Sequence, residues 1–138
     1  MIFIDTSALV ALLDADDRYH IAAERIWTSL INTKDDNELV CNNYVLLEAC
    51  SLIQRRYGMQ VLRTFQEQAV PLLTVDWIGP ERHAAAIAAV LVANRRGLSL
   101  VDCASFETMR RLGIRTAFAF DPHYQELGYD LPPESGIE

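Results

Sequence analysis

Asp5, Glu48, Asp102 and Asp121 are the residues whose type and setting could carry chemistry. Asp5 ends the apolar run Ile2-Phe3-Ile4 and precedes Thr6 and Ser7. Glu48 stands in NNYVLLEACSL, and its helical neighbours Tyr44, Val45, Ser51 and Leu52 include no cation. An acid on an apolar helix face is costly without a partner. Asp102 lies in GLSLVDCASF and Asp121 in AFAFDPHY. Three of the four have a local explanation. Asp5 can cap a helix, Ser99 and Asp102 resemble a capping box, and Asp before Pro is a common turn. Taken together they ask for more. Converging carboxylates repel, which raises their pKa values or pushes them apart. A hard divalent cation relieves this, and oxygen ligands of high negative charge suit Mg²⁺ or Mn²⁺. Such an ion polarises a phosphate, activates water and steadies a leaving oxygen.

The elements that must position these acids follow from apolar periodicity and caps. Ile2 to Ile4 reads as a buried strand, Thr6 to Asp14 as a helix, Asp14 to Arg18 as a polar break, and His20 to Leu30 as a second helix. After a charged loop from Asn32 to Glu38 comes a strand at Leu39-Val40-Cys41. A helix from Tyr44 to about Tyr57 follows, capped by Asn42 or Asn43 and stopped by Gly58. A helix from Met59 to about Ala69, a strand from Leu72 to Val75, and a long Ala-rich helix from Pro80 to Arg96 ended by Gly97 come next. Ser99 starts a helix to Leu112, ended by Gly113, and Arg115 to Phe120 is a strand-like run feeding Asp121. The tail from Leu127 has room for one short edge strand before Pro132-Pro133. Alternating strands and helices imply one domain over residues 1–138, a three-layer α/β/α sandwich with a mostly parallel central sheet. Ligands of such folds sit beyond the carboxyl ends of the strands. Asp5 and Asp121 are expected there, each directly after a strand.

Composition narrows the class. The chain has 138 residues, half of them hydrophobic, enough for a real core. No apolar run approaches the roughly 20 residues needed to span a bilayer, and no secretion signal opens the chain. Cys41, Cys50 and Cys103 are widely spaced without a CxxC pair. They read as buried, reduced thiols of a cytoplasmic protein rather than a disulfide frame or zinc site. A net charge of −7 argues against a general nucleic-acid-binding surface. The basic residues are eleven Arg and the single Lys34, with Arg55-Arg56, Arg95-Arg96 and Arg110-Arg111 as doublets. A solvated helix end is the commoner role for each doublet. Arg18, Arg95 and Arg96 are the candidates for phosphate contact. His20 and His123 are readable as assisting groups, with packing the commoner role.

In order and approximate spacing, MIFIDTSALVALLD, NNYVLLEA, GLSLVDCASF and AFAFDPHY resemble the four acidic motifs of PIN-domain ribonucleases. The closest subgroup is the VapC toxins of type II toxin–antitoxin modules. The resemblance covers nearly the whole chain. It implies that Asp5, Glu48, Asp102 and Asp121 bind one or two Mg²⁺ or Mn²⁺ ions. A metal-activated water then cleaves RNA to leave a 5′-phosphate and a 3′-hydroxyl. Ser7 occupies a position where the family often has a supporting polar residue. Ala119 is a departure, because many relatives place Thr or Ser two residues before the last acid. The resemblance also implies a homodimer held in check by a VapB-like antitoxin.

Two rivals differ in kind. A haloacid-dehalogenase-type phosphatase needs a second Asp two residues after the first, where this chain has Ser7, and a Lys at a later strand end. A phosphorylated receiver domain lacks the same lysine. A non-catalytic interaction module would keep the acids without turnover, and magnesium-dependent RNA cleavage abolished by EDTA separates it from an enzyme.

Overall fold

The computed structural model describes residues 1–33 and 36–132. Four short strands form one parallel sheet in the order β3-β2-β1-β4: β1 (Ile2–Ile4), β2 (Leu39–Asn42), β3 (Thr74–Asp76) and β4 (Thr116–Phe118). Successive strand residues point to opposite faces, yet every residue of β1 and β2 is buried. Both faces of the sheet centre are therefore covered, as the expected α/β/α sandwich requires. Covering them are α1 (Thr6–Leu13), α2 (His20–Asn32), α3 (Asn43–Tyr57), α4 (Met59–Thr64), α5 (Pro80–Ala93), α6 (Leu100–Leu112) and α7 (Pro122–Glu126). Phe3, Ile4, Leu9, Val40, Ile53, Met109, Phe118 and Tyr124 lie at the centre of the core. The three cysteines are free thiols, Cys41 and Cys103 buried as expected but Cys50 only half-buried, and burial pushes the Cys41 thiol up to about 12.

Several boundaries differ from the sequence reading for local reasons. The Ala-rich helix ends at Ala93 rather than Arg96. Asn94, not Gly97, adopts the left-handed conformation (φ 50°) and returns its N–H to the Val90 carbonyl. Asn tolerates that conformation better than most residues. The segment expected as one helix to Ala69 turns α-helical only to Thr64. It continues as a π turn over Phe65–Ala69 and a 3₁₀ turn over Val70–Leu72. That turn contains Pro71 and delays β3 to Thr74. The expected strand from Arg115 to Phe120 pairs only over Thr116–Phe118, because the Phe120 N–H turns away to the Ser7 hydroxyl. Asp121 therefore stands three residues beyond its strand, whereas Asp5 follows β1 directly. The edge strand expected in the tail is a single parallel bridge between Thr116 and Asp130. Lys34 and Asp35 of the charged loop, and Pro133 onward in the tail, lie outside the described residues.

A polar lattice holds the β3 edge to the helices. Arg82 donates to Asp76 (2.8 Å), Glu107 (3.0 Å) and Thr108 (3.1 Å), and Arg111 reaches the other Asp76 oxygen at 2.5 Å. Asn42 is fully buried at the end of β2. Its carbonyl oxygen caps α3 through the Val45 N–H (2.9 Å), and its amide donates to Ser105 and Thr108 on α6.

Candidate active site

Three of the four acids meet at the carboxyl end of the sheet. Asp5 caps α1: Oδ2 accepts the Ser7 N–H (3.1 Å) and the Ser7 hydroxyl (2.6 Å), while Oδ1 accepts the Tyr124 hydroxyl (2.9 Å). Only 4% of Asp5 is exposed. Burial raises its pKa above the ordinary value and the nearby charge of Asp121 adds to this. The hydrogen bonds from Ser7 and Tyr124 pull the other way. Asp102 completes the capping box of α6: it donates its N–H to the Ser99 hydroxyl (3.0 Å), and its Oδ2 accepts the Ser99 N–H (3.1 Å). Burial pushes it up to about 6, opposed by the Ser99 N–H and reinforced by Asp121 and Asp5. Asp121 caps α7 and accepts the His123 N–H at 2.9 Å. Capping and clustering are thus the same event. α1 and α7 start shortly after β1 and β4, α6 starts after the loop from α5, and their N-cap and first-turn acids come to one place.

His123 joins this cluster, although packing was its expected role. It sits in the first turn of α7, two residues after Asp121. Its Nδ1 lies 2.8 Å from Asp121 Oδ1 and 3.7 Å from Asp102 Oδ2. That nitrogen is buried yet forms no hydrogen bond among the described residues. One ligand atom each from Asp102, Asp121 and His123 fall within 4.8 Å of one another. Two carboxylates and an imidazole nitrogen at that spacing fit a divalent cation. The sequence signal for His123 was its place after an Asp-Pro helix start. Tyr124 was missed altogether, because its value rests on a long-range hydrogen bond.

Glu48 is not part of the close group. It lies on α3, partly buried, and its side chain makes no hydrogen bond or ion pair among the described residues. It lines an apolar cavity of about 280 Å³ with Tyr44, Leu47, His83, Leu100 and Val101, the last two immediately preceding Asp102. Ser7 links two parts of the site, donating to Asp5 while accepting the Phe120 N–H at 3.0 Å. Ala119 is buried and offers no hydroxyl.

The remaining candidates divide. Arg18 is exposed, with its guanidinium 4.8 Å from the centre of the Tyr19 ring. Arg95 pairs with Glu126 at 3.6 Å in solvent, and Arg96 is exposed. His20 is structural: Nδ1 meets the Ala11 carbonyl at 2.8 Å and Nε2 meets Glu24 at 2.7 Å, pinning the end of α1 to α2.

Comparison with known proteins agrees with this architecture. The chain is 33% identical over 138 residues to the 23S rRNA-specific endonuclease VapC20 of Mycobacterium tuberculosis, covering 97% of this chain and all of that protein. The crystal structure of M. tuberculosis VapC20, described as a sarcin–ricin loop cleaving toxin, superposes with a TM-score of 0.82 at 30% identity. It covers 96% of this chain and all of that one. FitAcB from Neisseria gonorrhoeae shares the fold (TM-score 0.67, 12% identity, 99% of this chain and all of that one). The PIN domain model matches residues 2–128. The chain belongs to the PIN domain family.

Proposed function

We propose that this chain is a metal-dependent endoribonuclease and the toxin of a type II toxin–antitoxin pair. The observation that carries the reading is the gathering of Asp5 and Asp102, both buried, and Asp121, half-buried, from distant parts of the chain into one mutually repelling group. Folding stability alone does not favour such a cluster, and a bound cation offsets its cost. Asp102, Asp121 and His123 would hold the ion, with Asp5 beside them. Glu48 would approach from α3 by a change of its own side-chain rotamer. Mg²⁺ or Mn²⁺ is the expected ion. When bound, it supplies a Lewis acid for a phosphate oxygen and lowers the pKa of water.

The chain's own residues fix the geometry. Ser7 and Tyr124 aim both oxygens of Asp5, Ser99 restrains Asp102, and the His123 N–H restrains Asp121. Preorganised ligands of this kind spare the reaction the cost of collecting charges. No protein nucleophile is required, and any of the acids can take the proton of the attacking water.

RNA is the substrate, and the activity of the VapC20 relative makes the sarcin–ricin loop of large-subunit ribosomal RNA the first target to try. A small VapB-like antitoxin, placing basic and apolar side chains over the acidic cleft, is the expected partner. The protein would act in the cytoplasm, where RNA and antitoxin are found.

The test is cleavage of ribosomal RNA by the purified chain in Mg²⁺ or Mn²⁺, with the new ends mapped. The expected outcome is discrete cuts leaving 5′-phosphates, abolished by EDTA. In Asp5→Asn, activity should fall by about a hundredfold or more, in line with loss of a preorganised electrostatic group, while melting stays cooperative. Metal-dependent cleavage retained at wild-type rates in Asp5→Asn would contradict the reading.

A further inference from the structure

We infer that the cavity beside Asp121 is a subsite for an unpaired nucleobase of the RNA strand, an inference that rests on the ribonuclease reading. The cavity has a volume of about 300 Å³, and Tyr19, Phe120, Asp121, Gln125 and Leu131 line it. That volume lies at the small end of ligand-site sizes and suits one base rather than a helix. Because Asp121 forms part of the wall, an occupant is a direct neighbour of the reacting phosphate.

The wall is preformed. The Tyr19 and Phe120 rings stack at 4.6 Å between centres and 7° between planes. Phe120 is tied to the acid cluster by its N–H bond to Ser7, and the Tyr19 N–H is held by Asp17 at 2.8 Å. Little ordering is left for binding to supply. The lining also matches what a base presents: apolar contact along the Tyr19 and Phe120 rings, and in Gln125 an amide with both donor and acceptor for a base edge. Arg18 sits over the Tyr19 ring and brings a cation to the rim, where the neighbouring phosphate of the strand would lie.

Charge separates this occupant from a protein one. A basic antitoxin segment meets repulsion at Arg18, whereas a nucleic acid is attracted. Apolar side chains of a protein partner are better served by the nearly all-apolar cavity at Leu47, Leu100 and Val101.

The test uses Tyr19→Leu, which keeps apolar bulk without an aromatic face, and Gln125→Ala at an exposed position of α7. Cleavage of an RNA hairpin carrying the sarcin–ricin loop is measured with its ends mapped. Binding of fluorescein-labelled oligo(A), oligo(C) and oligo(U) is measured in an Asp5→Asn background with Mg²⁺. In Tyr19→Leu the KM should rise about tenfold with kcat changed less than about threefold, as loss of the aromatic wall and of the ring that holds Arg18 implies. Gln125→Ala should flatten the preference among the three oligonucleotides and broaden base choice at one position beside the cut. Unchanged KM, cut-site choice and oligonucleotide binding in both variants would overturn the subsite while leaving the nuclease standing. Oligonucleotide binding that depends on Tyr19 and Gln125 in a chain that never cuts RNA would keep the subsite and remove the nuclease.

Discussion

At the scale of single residues, the acids serve two ends that pull apart at neutral pH. Asp102 has an ordinary value of 3.8 and stands at about 6 in the fold. Between those values the folded chain binds more protons than the unfolded one. This residue's contribution therefore declines as pH rises through the window and becomes a net cost above about 6. Asp5 is shifted in the same direction. Replacing Asp102 by Asn keeps an oxygen for the Ser99 N–H and removes the charge. The metal-free Asp102→Asn variant should melt higher than wild type at pH 7.5, with the difference vanishing near pH 4, as read by circular dichroism. Mn²⁺ should raise the melting temperature of wild type and not of the variant. Asp5, Asp102 and Asp121 were legible in the sequence because each stands at a strand end or helix start. His123 was readable only as a secondary candidate and Tyr124 not at all, because a one-turn helix gives them no periodic signature. Their roles follow from where α7 lands, not from their own neighbourhood.

At the scale of elements, the site depends on helices that begin in the right place, and caps decide that. Asn42 closes β2, caps α3 and donates to two hydroxyls of α6 while fully buried. Asn42→Ala removes a cap and leaves the Ser105 hydroxyl without the Asn42 donor, whereas Thr108 keeps that of Arg82. A loss of about 2 kcal/mol is expected from the cap and the unpaired buried groups together, measurable by urea denaturation. Strand and helix order could be read from the sequence because apolar periodicity and Gly or Asn punctuation are local. The π turn at Phe65 left no local mark, and past the Ala-rich helix Asn94 and Gly97 both offered a left-handed stop, of which the fold takes the first. The early exit of β4 is similar: the Ser7 hydroxyl, 113 residues away, takes the N–H that continued pairing would have used.

At the scale of the whole molecule, the net charge of −7 is unusual for a protein that grips RNA. Affinity must come from a bound ion and a few local contacts, among which we propose Arg18, over the Tyr19 ring. A homodimer, expected from the family resemblance, would show in sedimentation equilibrium as about 31 kDa, twice the 15.6 kDa chain. A mass of one chain at micromolar concentration would refute it. The central claim is that this fold assembles a divalent-cation site from dispersed acids. Soaking crystals in Mn²⁺ and collecting anomalous diffraction tests it most directly. The expected result is a peak about 2.1 Å from carboxylate oxygens of Asp102 and Asp121, close to Nδ1 of His123 and within reach of Asp5. A map with no peak there at saturating Mn²⁺, or with the ion seated instead on the Asp76–Glu107 acids, would contradict it.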